Sequence, residues 1–169
     1  SSTTLALALG DALAICCMKI RNTTIEDFAR LHPLGQLGKN ITLKVKDLMH
    51  TGEQIPKITM NSAFKDAIIE ISNKMLGCVC IVSPENKLIG IITDGDVRRT
   101  LQSHDDYQNL KVKDIMTYNP ITIKPDAFLG EALAIMENRS SEISMLPIVT
   151  ENNELIGIIH IHDILRSGK

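Results

Sequence analysis

Five short blocks of this 169-residue chain occur twice, in the same order and at nearly the same spacing. Val45-Lys46-Asp47-Leu48-Met49 returns 67 positions later as Val112-Lys113-Asp114-Ile115-Met116. Asp66-Ala67-Ile68 returns as Glu131-Ala132-Leu133, and Ile81-Val82 as Ile148-Val149. Leu88-Ile89-Gly90-Ile91-Ile92 returns as Leu155-Ile156-Gly157-Ile158-Ile159, and Asp96 is matched by Asp163. Ordered self-similarity at one period means one structural unit built twice. The copies occupy 43–101 and 110–169, the polar stretch 102–109 joins them, and residues 1–42 stand outside.

Each copy reads β-α-β-β-α. A short run after Pro56 or Pro120 is followed by a helix. Phe64, Ala67, Ile68, Ile71 and Met75 fall at i, i+3, i+4, i+7 and i+11, one helical stripe, and Leu129, Ala132, Leu133 and Met136 repeat it. Ser62 and Asp126 are the expected N-caps. Strands follow at Cys78–Val82 and Met145–Val149, then turns at Pro84-Glu85-Asn86 and Glu151-Asn152-Asn153. Second strands follow at Leu88–Thr93 and Leu155–His160, with closing helices beginning near Asp96 and Asp163. Each unit has a small sheet with one apolar face, so the two units pack sheets or helices together. The fold class is α+β.

Composition narrows the function. Lysine and arginine number 18 against 20 acidic residues, and there is no Trp among 3% aromatics. That excludes the basic footprint and the stacking platforms of a nucleic-acid binder. Cys16, Cys17, Cys78 and Cys80 form no C-x-x-C pair, so buried, reduced thiols in a cytoplasmic protein are expected. The apolar stretch Leu5–Ile20 carries Gly10, Asp11 and Lys19 and lacks a basic leader, so neither a signal peptide nor a membrane span is expected. A first residue Ser1 at a helix-like segment suggests a piece of a longer protein.

The doubled unit resembles the cystathionine β-synthase (CBS) domain pair. Val45–Met49 opens it and Gly90-Ile91-Ile92-Thr93-Asp94-Gly95-Asp96 closes it, matching a pattern of Gly, two apolar residues, Ser/Thr, two variable residues and Asp. The resemblance covers about three quarters of the chain and implies a regulatory module binding a nucleotide between the repeats. The local chemistry agrees. Thr93 and Asp96 put a hydroxyl and a carboxylate at a strand-to-helix turn, a pair suited to ribose hydroxyls, with Gly95 easing the turn. Arg98 and Arg99 follow and offer cationic forks to a phosphate. The competing reading makes Asp96 an N-cap and the arginines a solvated face.

The second copy departs from the pattern, with His160 where Ser/Thr is expected: His160-Ile161-His162-Asp163. An equivalent second ribose site is therefore in doubt. A His-x-His pair on a strand end puts both rings on one side, so zinc is conceivable with Asp163. So short a segment seldom closes a tetrahedron, and contact with an anionic group or a structural role is preferred; no metal is expected.

Residues 1–42 point to a parent. Ser1-Ser2-Thr3-Thr4 before Leu5–Ala14 reads as a capped amphipathic helix, and Asp27-Phe28-Ala29 leads to His32-Pro33-Leu34-Gly35-Gln36-Leu37-Gly38. With the downstream pair, this is similar to the D-arabinose 5-phosphate isomerase family, in which a sugar isomerase (SIS) domain precedes two CBS domains. Leu34 stands where that family usually has Gly. The resemblance implies aldose–ketose isomerisation in lipopolysaccharide or capsule biosynthesis, with His32 in the parent's active site. Residues 1–42 would hold only the last helix and exit linker of the SIS domain, leaving this chain without turnover. The implied ligand is CMP-Kdo as a feedback signal, or AMP or ATP; no cofactor is required. The implied partners are such a ligand and further copies of the chain, as paired CBS modules in a tetrameric parent. The alternative is a non-sensing assembly module; a third reading is a metal sensor through His160 and His162.

Overall fold

The structure is a computed structural model that describes residues 2–24, 27, 42–103, 107, 109–139 and 143–166. Its elements in order are α1 (Ser2–Ile20), β1 (Lys57–Thr59), α2 (Phe64–Lys74), β2 (Cys78–Val82), β3 (Leu88–Thr93) and α3 (Asp94–Ser103). Then come β4 (Thr117–Tyr118), α4 (Leu129–Glu137), β5 (Met145–Val149), β6 (Leu155–His160) and α5 (Ile161–Arg166). Short 3-10 turns at Val45–Asp47 and Val112–Asp114 precede the two units.

One sheet runs β1-β2-β3-β4, with β1 parallel to β2 and the other pairs antiparallel. The second has β5 and β6, flanked by single bridges from Ile123 to Ile148 and from His50 to Ile158. It thus repeats the first sheet in reduced form. Along β2 the side chains alternate: Cys78, Cys80 and Val82 join a cluster with Met145, Val149 and Ile158 of the other sheet. Val79 and Ile81 join Ala67 and Ile71 of α2. On the far side Leu146 and Ile148 join Leu129, Ala132 and Met136 of α4. The period-2 alternation of a strand therefore places β2 and β5 between a helix and the opposite sheet. This corrects the expectation of one apolar face: β2 and β5 are buried on both.

The opening motifs are exchanged between the units. Val45 is fully buried in the second unit's core, where its N–H donates to Ala127 O and Leu129 N–H donates to Leu43 O. Val112 is buried in the first unit's core; its N–H donates to Ser62 O, and Phe64 N–H donates to Leu110 O. The repeated aspartate explains itself here. Asp47 and Asp114 accept the backbone N–H of Lys44 and Lys111, closing each 3-10 turn from its third residue. Asn86 and Asn153, both at positive φ, complete the clasp: Asn86 Nδ2 donates to Leu155 O and Asn153 Nδ2 to Leu88 O.

Several local expectations are corrected. The caps of α2 and α4 are Ala63 and Phe128, not Ser62 and Asp126. No cap side chain bonds there; Asp66 and Glu131 reach back from the third position to accept the cap N–H. Asp126 is instead an ion-pair partner of Lys44 and Lys46. Met75 leaves the buried stripe because it ends α2 in the left-handed region, at φ 55°, and is exposed.

Helix α1 continues through Gly10, Asp11 and Lys19, with no residue buried. It is apolar on all sides rather than amphipathic, and Leu5, Leu7, Leu9 and Leu13 are each more than half exposed. With a mean hydropathy of 1.6 over 18 residues, it is long and apolar enough to cross a membrane by length and composition, against the sequence expectation. A core helix passes the same test when its partners are present.

The thiols also divide. Cys16 and Cys17 are exposed, whereas Cys78 and Cys80 are buried. Burial raises both buried thiols, Cys78 to about 12. At neutral pH a disulfide-exchange reagent should label Cys16 and Cys17 rapidly, and Cys78 and Cys80 only after unfolding, because the thiolate is the reactive form. Fast labelling of all four would contradict this packing.

Candidate functional site

Strand β3 ends at Thr93 and α3 begins at once. Thr93 N–H and Oγ1–H both donate to Asp96 Oδ2, at 2.8 and 2.7 Å, and Asp96 N–H donates to Thr93 Oγ1 at 3.3 Å. This is a reciprocal capping box with Thr93 as the cap and Asp96 at the third helical position. The expected helix start near Asp96 is thus corrected to Asp94. Gly95 lies inside α3, so it is not the hinge of the turn; the first residue of α3 is fastened to the segment before β2, where Gly77, at φ 69°, accepts Asp94 N–H on its carbonyl at 3.0 Å. Asp96 Oδ1 accepts Arg99 Nη2 at 2.6 Å.

This corner lies at the edge of a cleft of about 790 Å³ walled by both units. The first unit contributes Leu76, Ile91, Thr93, Asp94, Asp96 and Arg99. The exchanged segment contributes Thr117, Asn119, Pro120 and Ile121. The second unit contributes Ile143, Ser144, Met145, Pro147 and His160. A cleft that combines apolar walls with several polar groups is a usual form of a small-molecule site. Arg99 is 71% exposed, so its ion pair with Asp96 is weak and its guanidinium is free to turn to an anion.

Among the expected site residues, Thr93, Asp96, Arg99 and His160 line this cleft. Arg98 is exposed on α3 outside the lining, because neighbours on a helix diverge by about 100°. His162 and Asp163 also lie outside it. His162 N–H donates to His160 Nδ1 at 3.0 Å, and the two rings stack with centroids 4.8 Å apart. Asp163 Oδ2 accepts His160 N–H at 3.2 Å and lies 2.9 Å from His50 Nε2. Among the described residues no group of three or more His, Cys, Asp or Glu could hold a metal ion, so the metal-sensor reading has no support there. His32 lies outside the described residues.

The pKa of His160 is lowered, first by burial and then by His162. The neutral ring with a bare Nδ1 also satisfies the His162 N–H bond. A histidine depressed in the folded state takes up protons more readily when unfolded. Its share of stability is therefore whole above the ordinary value of 6.5 and is lost as pH falls through the folded value. Thermal midpoints measured from about pH 7.5 down to about pH 5.5 should fall more steeply for the wild type than for His160→Asn. Equal slopes would refute the assignment.

Sequence reasoning missed Asp94, Asn119, Ser144 and His50. The doubling was the available signal: Asn119 and Gly52, both at positive φ, and Ser144 and Gly77 are equivalent positions.

A CBS domain family model matches residues 45–103 and 112–168. The arabinose 5-phosphate isomerase KdsD of Yersinia pestis is 41% identical over 168 residues, which is 99% of this chain and 50% of that protein. The chain thus spans about half the length of the curated relatives it matches. Among solved structures, CBSX2 in complex with AMP superposes with a TM-score of 0.62 at 22% identity, covering 73% of this chain and 94% of that one. The CBS pair of protein MJ0100, in complex with 5′-methylthioadenosine and S-adenosyl-L-methionine, gives 0.64 at 28% identity, with 73% and 94% covered. Two matched copies, the exchanged opening motifs and the cleft between them agree: the chain belongs to the CBS domain family, as a tandem pair.

Proposed function

We propose that this chain is the regulatory pair of an arabinose 5-phosphate isomerase and that its cleft binds a nucleotide or nucleotide sugar. The observation that carries the reading is the cleft itself, walled by both units, with Thr93, Asp96 and Arg99 in its lining beside the apolar Ile91, Pro120 and Ile121. A base fits the slot between Ile91, Pro120 and Ile121, sugar hydroxyls exchange with the Thr93–Asp96 bonds, and Arg99 takes a phosphate. The arabinose 5-phosphate isomerases among the relatives support the isomerase, and the AMP and S-adenosyl-L-methionine complexes support the ligand class. CMP-Kdo is the nucleotide sugar favoured as a feedback signal; AMP and ATP are the adenine alternatives. A cytoplasmic site goes with this reading.

Aldose–ketose isomerisation moves a proton through an enediol and needs a base and an acid. On this reading that chemistry, with His32, sits in the longer protein, and this chain alone is expected to give no turnover. A ligand regulates the enzyme only if it binds two arrangements of the pair unequally. The exchanged segment supplies a lever: Leu43–His50 leads from the N-terminal region and is fastened to the second unit, which forms one cleft wall.

The capping box favours a second reading. Thr93 and Asp96 already satisfy each other, as they would in an assembly module that only joins copies of the chain. Calorimetric titration with AMP, ATP and CMP-Kdo separates the two. Saturable heat from one of them is expected for sensing, and no heat from any would leave assembly as the function.

A further inference from the structure

We propose that His50 fills the second of two symmetry-related clefts, so that each chain takes up one nucleotide rather than two; this rests on the nucleotide reading above. The repeat relates Thr93 to His160, Asp96 to Asp163, and Thr117 to His50. In the first cleft Thr117 pairs with Ile91 on β3, a short side chain that leaves the space beside Asp96 open. At the equivalent place His50 bridges Ile158 on β6, in the same register. Its imidazole is larger, and its Nε2 stands 2.9 Å from Asp163 Oδ2. The carboxylate oxygen that would receive a sugar hydroxyl already holds the protein's own ring. The pair is more than two-thirds buried on both sides, so it is shielded more than a surface ion pair.

The partner position agrees. His160 presents no hydroxyl at the strand end, and its Nδ1 is engaged by His162 N–H. The hydroxyl of the first corner is thus absent in the second, and its carboxylate is kept as Asp163 but engaged by His50. His50 is held there by the fold, because its backbone exchanges two hydrogen bonds with Ile158 at 2.9 and 3.1 Å. The imidazole is a built-in occupant of the place that Thr117 leaves open in the first cleft.

The test is the stoichiometry of the whole chain titrated in parallel with AMP and with CMP-Kdo, for the wild type, His50→Thr and Thr117→His. The wild type should bind one nucleotide per chain and His50→Thr two. Thr117→His should lose its single site, with affinity down at least about tenfold. Circular dichroism verifies folding, and His50→Ser replaces His50→Thr if that variant fails to fold. Two sites in the wild type, one site still in the folded His50 variant, or unchanged binding by Thr117→His would overturn the proposal while leaving the nucleotide reading intact. No binding of either nucleotide by the wild type would overturn both.

Discussion

Replacing Gly90 with alanine should unfasten β4 from the first sheet and cost about 2–3 kcal/mol, the upper part of the range for forcing an extra group into a packed site. A Cβ there would stand 2.8 Å from Met116 Sδ and 2.9 Å from Thr117 O. The sulfur can turn, but the carbonyl belongs to β4 backbone, paired with β3 through Gly90–Tyr118 and Ile91–Thr117. Relief requires the strand to move, and with it Thr117 and Asn119 of the cleft wall. Gly157→Ala is the matched experiment in the second unit. Its Cβ would meet Met49 Sδ at 2.7 Å but the nearest backbone oxygen, His50 O, only at 3.1 Å, so the cost should be smaller. Gly10→Ala has nothing within 4 Å and should leave both units unchanged. For a chain this size the Gly90 cost should lower the thermal midpoint by roughly 4–12 °C. A Gly90→Ala midpoint equal to that of Gly10→Ala would refute the exchanged packing.

Removing the Asp96 carboxylate should have the largest effect on the site. Asp96→Ala deprives Thr93 N–H, Thr93 Oγ1–H and Arg99 Nη2 of their acceptor at once. Loss of the capping box alone should cost about 1–2 kcal/mol. The Arg99 pair adds little, being exposed. Both the sensing and the assembly readings expect this loss of stability. Only sensing expects affinity to fall as well. Hydrogen bonds to a charged group contribute about 1.5–3 kcal/mol each, so nucleotide affinity should drop at least about tenfold. Denaturant unfolding and calorimetry on one preparation measure both. A destabilised variant with unchanged affinity would assign Thr93 and Asp96 to the frame alone.

The repeat was legible because its signals are local and doubled. The short continuous apolar runs Cys78–Val82 and Met145–Val149, bounded by turn residues, mark strands without reference to anything distant. The caps of α2 and α4 are hidden from the sequence because Asp66 and Glu131 do the capping from inside the helix, whereas the polar residues before it, Ser62 and Asp126, do not cap. Met75 continues the apolar stripe by spacing, but the chain leaves the helix there in a left-handed turn. The cleft was only half visible. Thr93 and Asp96 stand three residues apart, whereas Asn119, Ser144 and His160 reach the same space through pairing between the units. The His50–Asp163 contact spans 113 positions, and no local pattern announces it. The charges Asp11 and Lys19 suggest an amphipathic α1, but its apolar residues surround the axis.

The central claim is that a nucleotide enters the space shared by the two units at the Thr93 corner. Amide resonances followed by NMR during titration with AMP and with CMP-Kdo test it most directly. Saturating shifts should concentrate at Thr93, Gly95, Asn119 and Ser144, with the His160 ring moving in step. No shifts with either compound, or shifts gathered elsewhere with these amides still, would contradict it.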